Sequence, residues 1–478
     1  MTTAGADDHP IDAERRRRTH SGTRSSVKSV KGGMKSHLHP ADLRALSRLG
    51  VEAVIGITSL VESLHHTIAR GTLPLGRAPA GRTRGITGLV YRSVHGVTRT
   101  VGVGLDTALG ALLPLLERGS GPPVSPSFER EAVLAALNGV LGDHLANTRN
   151  GLALPMQVRH LGQPLTLQKE ALAAAVPAPT GRLLLLVHGL CMNDRQWQRR
   201  ALAAAGLPVE EVRADPWVLA ARRLGATPLH LRYNSGRHVS ANGRELSALL
   251  DSVVAHWPVP VTDIAIVGHS MGGLVARSAC HYAAPAAKDS TVACGWRSRL
   301  RAMVFLGTPH HGAPLERGGN WVDLLLGVSP YSAPFARLGR LRSAGITDLR
   351  HGNLTEADWQ GRDRVARRDA RIPLPLPADV ACHAIAASIG CSAGDLQDTA
   401  LGDGLVPVDS ALGRHADADR TLGFAAGKTR IFFERNHLDL LGDPAVLAQV
   451  CHWLAPNFGN ACNGTQAAAS ARPGADDR

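Results

Sequence analysis

A doubly wound, mostly parallel α/β sheet is the fold class this sequence predicts, on three observations. Arg182-Leu183-Leu184-Leu185-Leu186-Val187 is a continuous apolar run, as a central parallel strand needs when helices cover both its faces. Further β-rich runs at 227–232, 263–267, 301–306, 380–388 and 429–433 alternate with helical segments, notably 199–205, 242–256 and 272–284. Gly268-His269-Ser270-Met271-Gly272 joins one such strand to one such helix. That G-x-S-x-G turn lifts a serine hydroxyl clear of a sheet.

Taken in order, residues 1–40 are rich in Arg, Ser, Lys and Gly and read as a disordered basic tail. Residues 41–150 read as a helical region. Asp42 is placed to cap a helix whose Val54, Ile57, Val61, Leu64 and Ile68 form one stripe. A Gly/Pro/Arg linker at 71–84 leads to a second helix. Its apolar positions are Ile86, Val90, Val94, Val97, Val101, Leu105, Leu109, Leu112 and Leu116, opposite a Thr-, Ser- and Gly-rich face. The stripe drifts above 3.6 residues per turn, as eleven-residue repeats do. Either the stripes pack on each other or on the core, or the region is an amphipathic binder at a lipid interface. The stretch 101–116 carries Asp106 and several glycines and falls short of a membrane span.

A break at 119–127 precedes a helix over 129–145 that leads into the main domain, 151–456. This domain opens with an antiparallel hairpin, 156–160 and 164–167 about Gly162, and an Ala/Pro loop at 171–180. Between Gly312 and Pro377 the alternation stops. The insertion, about 313–377, holds Trp321, Leu324 and Phe335 and is the candidate lid or cap, with Trp321 shaping an acyl pocket. Residues 457–478 read as a loose tail.

At 478 residues, two units plus tails is the expectation. Hydrophobic content of 44% with 4% aromatic residues points to a core of Leu, Val, Ile and Ala. The net charge of +13 is mostly dispersed arginine. With no basic patch interleaved with aromatics, it reads as a solvated surface with no nucleic-acid partner. The seven cysteines include no C-x-x-C pair, and Met1 to His9 holds no apolar signal region. A cytoplasmic protein is the expectation, with peripheral contact at a membrane or lipid surface open.

A serine hydroxyl needs a histidine to take its proton and a carboxylate to orient that histidine. On this fold the acid, then the histidine, should follow the serine on loops after late strands. Leu401-Gly402-Asp403-Gly404-Leu405-Val406 offers Asp403 in a glycine-flanked turn, with Asp395, Asp398 and Asp409 as rivals. Glu434-Arg435-Asn436-His437-Leu438-Asp439, after the last strand, offers His437, with His415 and His452 as rivals. An oxyanion hole would use the N–H groups of Met271 and of Leu190, the latter following Val187-His188-Gly189. His188 would buttress that loop, Gly189 would let it approach the substrate, and His269 would act within the elbow. Thr308 and Pro309 of Gly307-Thr308-Pro309-His310-His311-Gly312 would line the cleft. The histidine pair has no accompanying carboxylate cluster, so neither a metal nor any other cofactor is expected.

These segments together, over residues 183–454, resemble the α/β-hydrolase superfamily, in particular bacterial triacylglycerol lipases and GPI inositol-deacylase-like serine hydrolases. The resemblance implies an α/β-hydrolase fold. It makes Asp-Gly-Leu-Val the segment of the acid, Asp403, and Asn-His-Leu-Asp that of the base, His437. In some such lipases the aspartate matching Asp439 serves a structural calcium site. The function implied is hydrolysis of carboxylic esters, small-molecule or lipid, through an acyl-enzyme on Ser270. Acyl transfer by the same triad, and a lipid-surface protein with an inactive hydrolase domain, are the alternatives.

Overall fold

The computed structural model describes residues 40–69, 85–119, 128–198, 215–283, 295–313, 343–362, 369–392 and 402–458. The expected tails, the linker at 71–84, the helix at 199–205, Trp321 and the rival acids Asp395 and Asp398 lie outside the described residues. In chain order the elements are α1 (Pro40–Ala69), α2 (Gly85–Gly119), α3 (Phe128–Asn147), β1 (Gln157–His160), β2 (Gln163–Pro164), α4 (Lys169–Ala175) and β3 (Arg182–Val187). There follow α5 (Pro216–Arg223), β4 (Thr227–Arg232), α6 (Val239–His256), β5 (Asp263–His269), α7 (Met271–Tyr282), β6 (Leu300–Leu306) and α8 (Ala344–Asp348). The last are β7 (Ala381–Ser388), α9 (Val408–Ala411), β8 (Thr429–Phe433) and α10 (Pro444–Leu454).

The strands form one sheet in the order β2-β1-β4-β3-β5-β6-β7-β8, parallel from β4 to β8, with β1 and β2 antiparallel at one edge. The chain leaves β3 for β4 on one side and returns to β5 on the other. This reversal opens a crevice at the carboxyl ends of β3 and β5, where such sheets bind ligands. Both faces are buried, which explains the unbroken apolar run of β3. Leu183, Leu185 and Val187 join one core with Leu246 and Leu250 of α6 and Leu274 and Val275 of α7. Leu184 and Leu186 join the other with Trp217 of α5 and Val446, Val450 and Trp453 of α10. Each fully buried leucine contributes about 1.5–3 kcal/mol to holding strand to helix.

Three sequence expectations change. Asp42 does not cap α1. The helix begins at Pro40, and the Asp42 carboxylate pairs with Arg130 of α3 at 2.6 Å. The Ala/Pro loop at 171–180 is half helix: Lys169–Ala175 has strong helix formers throughout, and its Leu172 is fully buried. Helices α5 and α10 were not anticipated, although both carry an Asp-Pro start. Asp215 accepts from the Trp217 N–H at 2.9 Å and Asp443 from the Ala445 N–H at 2.7 Å, with proline at the first helical position.

Helix α3 is bound to the sheet by buried charge. Glu131, fully buried, lies 3.3 Å from Arg159 of β1 and 3.0 Å from Arg232 of β4. Arg159 also meets Asp194, just beyond the loop that follows β3, at 3.0 Å.

Candidate active site

The turn at Ser270 is strained. Its φ of 54° and ψ of −125° put a non-glycine residue in a conformation costing about 1–3 kcal/mol. The surrounding packing compels it. A Cβ on Gly268 would stand 2.6 Å from Gly273 Cα, and one on Gly272 would stand 2.2 Å from the Val187 carbonyl oxygen. Only glycine lets β5, α7 and the end of β3 meet this closely. The Ser270 N–H donates to the Leu306 carbonyl at 2.8 Å, which ties the turn to the end of β6.

Asp403 and His437 come together from loops 34 positions apart. The Asp403 Oδ1 accepts from the N–H groups of Leu405 at 2.9 Å and Val406 at 2.7 Å, which fixes the carboxylate. Its Oδ2 accepts from His437 Nδ1 at 2.6 Å, and the His437 N–H donates to the Asp403 carbonyl at 3.1 Å. A carboxylate on Nδ1 fixes the proton there and leaves Nε2 with its lone pair. That Nε2 is buried and has no hydrogen-bond partner among the described residues.

Gly307 makes room for the ring. Its φ is +56°, and a Cβ there would stand 3.0 Å from both Cε1 and Nδ1 of His437. The imidazole therefore lies against the residue that follows Leu306, to which Ser270 is hydrogen-bonded. No hydrogen bond joins Ser270 Oγ to His437 Nε2. Such bonds often tighten only when substrate is bound.

His269 holds the two segments together. Its Nε2 lies 3.0 Å from the His437 carbonyl oxygen, its ring centroid is 4.6 Å from that of His437, and Trp197 meets it edge-on. His188 is fully buried, stacks on Tyr233 at 4.3 Å and sets Nδ1 2.9 Å from the Gly189 carbonyl oxygen. Burial pushes its pKa down to about 4, so it is neutral. Gly189 approaches the serine so nearly that a Cβ would be 3.0 Å from Ser270 Cβ. The N–H groups of Leu190 and Met271 donate to no described residue. Thr308 is fully buried against Gly273, Pro309 is buried, and His310 Nδ1 lies 3.2 Å from Arg277.

Of the rivals, Asp409 is exposed and pairs with Arg414, His452 is exposed, and His415 accepts from the Asp417 N–H. Asp439 accepts the Asn436 N–H at 2.8 Å, a turn contact. Among the described residues, no group of three or more His, Cys, Asp and Glu is arranged to hold a metal. Sequence reasoning missed Ser235 and Tyr233. The Ser235 Oγ accepts the Cys191 N–H at 3.1 Å, and the Tyr233 hydroxyl donates to the His188 carbonyl at 2.8 Å. Together they brace the loop after β3, where Cys191 takes a φ of 59°. Both follow β4, some forty residues on, and no spacing in the sequence links them to that loop.

The model of the PGAP1-like alpha/beta domain family matches residues 178–375, which include Ser270 and end before Asp403 and His437. No curated protein matches the chain. Among solved structures, a Bacillus licheniformis lipase in mature form is similar, with 16% identity and a TM-score of 0.35, over 64% of this chain and 98% of its own. Lipase 1 from Pelosinus fermentans gives 14% and 0.34 over 59% and 99%, and a Pyrococcus furiosus esterase 13% and 0.32 over 59% and 85%. The sheet order, the strained serine turn between β5 and α7 and the family match over residues 178–375 relate this chain to the α/β-hydrolase superfamily.

Proposed function

We propose that the chain is a serine hydrolase of carboxylic esters, with acyl esters, lipid esters among them, as the substrate class. The observation that carries this reading is the pair Asp403–His437 at 2.6 Å, whose buried Nε2 is left without a partner among the described residues. Its ring is packed against Gly307, the residue after the Leu306 to which the strained Ser270 is hydrogen-bonded. In the reaction, His437 Nε2 takes the Ser270 proton as Oγ attacks the ester carbonyl carbon. The Leu190 and Met271 N–H groups stabilise the oxyanion, and Asp403 stabilises the imidazolium. His437 then returns the proton to the departing alkoxide, leaving an acyl-enzyme. Water, deprotonated by the same nitrogen, releases the acid. The Leu190 and Met271 N–H groups, which donate to no described residue, support the oxyanion role.

Turnover of p-nitrophenyl butyrate tests this directly. Ser270→Ala should lose at least about 10³-fold in kcat/KM, along with labelling by a fluorophosphonate probe. Turnover that survives in Ser270→Ala sinks the assignment.

A further inference from the structure

The hairpin of α1 and α2 does not bury the apolar stripe of α2 at its seam. The side of α2 that meets α1 is polar or small. Asp106 takes Arg44 at 2.8 Å and Arg48 at 2.7 Å, and these pairs hold the Asp106 carboxyl well below its ordinary pKa. His95 faces Glu62 at 3.8 Å with both side chains buried, and Gly102 lies directly against Val51. The apolar stripe faces outward instead. Leu89, Val90, Val94, Val97, Val101 and Leu105 are between 40 and 64% exposed, and Leu43, Leu46 and Val54 of α1 are exposed as well.

A helix with polar and small residues along its seam, ion pairs at the rim of that seam, and a row of branched apolar side chains outside is arranged to meet an apolar surrounding. The exposed hydroxyls agree. Thr58, Thr100 and Thr107 each donate to the carbonyl four residues back, at 2.7, 3.0 and 2.8 Å, so their polar groups are satisfied within the helix. The stripe is also nearly straight, since Val90 and Val101 stand eleven residues, or three turns, apart. A straight stripe presents one continuous line of apolar side chains to a flat surface. No described helix is long and apolar enough to cross a membrane, so the hairpin would lie in the plane. The two helices carry five acidic and five basic residues between them, but their flanks are basic. Residues 70–84, which join them, hold four arginines and no acid, and Arg15 to Arg18 precede α1, so the charge beside the hairpin suits anionic lipid.

We propose that the outward face of α1 and α2 docks on an anionic phospholipid surface, seated at the boundary of headgroups and acyl chains. Delivery of lipid esters to Ser270 from that surface rests on the hydrolase reading above; the docking itself does not.

Vesicle co-sedimentation tests it on the full chain, with phosphatidylglycerol–phosphatidylcholine vesicles. Wild type and Ser270→Ala should sediment equally. Val94→Asp/Val97→Asp/Val101→Asp should lower the bound fraction at least about tenfold, with p-nitrophenyl butyrate turnover and molar mass unchanged. Val97→Trp should shift its emission to the blue on vesicle addition and be quenched by brominated lipid. Wild type left in the supernatant, a triple variant that binds as well as wild type, or no quenching at Trp in position 97 overturns the proposal. So does a wild-type dimer that the triple variant splits, since a second copy would then be what covers the face. If the triple variant fails to fold, the quenching measurement decides alone. Butyrate turnover that persists in Ser270→Ala would count against the hydrolase reading and leave docking standing.

Discussion

Asp403 makes two sets of contacts at once. As a turn residue it closes its own loop, with Oδ1 accepting from Leu405 and Val406; as a charged partner it holds His437 with Oδ2. Asp403→Asn can keep the turn contacts through its amide oxygen but places an NH₂ or a neutral oxygen on Nδ1, which disturbs the tautomer and removes the charge opposite the imidazolium. The expected result is a fall in ester kcat of about 10⁴-fold, with a melting temperature close to wild type. A loss smaller than tenfold, measured with p-nitrophenyl butyrate, would remove Asp403 from the proposed machinery. Ser270 and Asp403 are legible in sequence because glycines flank them, and His437 because it follows the last strand. Ser235 carries no such mark. It matters only because the end of β4 lies beside the loop after β3 once the sheet has formed.

The strands β3, β4 and β8 fall on the residues expected of them, for different reasons. Strand β3 is the continuous apolar run that burial on both faces requires, whereas β8, half-buried or exposed at the sheet edge, is marked by Ile431, Phe432 and Phe433. Helices α5 and α10, eight and eleven residues long, are marked in the sequence by their Asp-Pro starts more than by periodicity. The stripe on α2 was visible, but periodicity says only that a helix has two faces, not which one meets its neighbour. Helix α3 is a different case, since its attachment is electrostatic. Glu131, Arg159, Asp194 and Arg232 form a buried set with two charges of each sign, linking α3 to β1, β4 and the segment beyond the loop of Leu190. Burial lowers the Arg232 pKa, a sign of how much these charges depend on one another. Glu131→Gln leaves two buried guanidinium groups to share Asp194 and should destabilise the fold by about 3–5 kcal/mol. Urea unfolding would read this as a lower midpoint at unchanged slope. A change below about 1 kcal/mol would mean that water already reaches the set.

On the scale of the whole molecule, the interior is populated by histidines that burial keeps neutral. His188, His230 and His383 have their pKa values pushed down to about 4 by desolvation, His311 likewise to about 4, and His310 well below its ordinary value. They sit in different places: beside the loop after β3, within β4, within β7, and after β6 next to Arg277. Each binds its proton more weakly in the folded chain than in the unfolded one, where 6.5 is the ordinary value. Between these values the unfolded state holds more protons, so stability rises with pH across that window. The stability from these groups is present in full above about pH 6.5 and is lost progressively as the pH falls towards 4. Melting temperature should therefore be nearly flat from pH 8 to 7 and fall steeply from 6.5 to 4.5. His383→Phe, which keeps a ring stacked on Trp453 at 4.7 Å without a titrating nitrogen, should make that fall shallower. A melting temperature level from pH 7 to 4.5, or a variant with the wild-type slope, would show that these rings take up protons inside the fold. The same arrangement limits where the proposed chemistry can run. Below pH 6 the sheet that carries Ser270, Asp403 and His437 would be losing its own stability, so ester turnover at acid pH must be read beside the melting curve before its decline is assigned to His437.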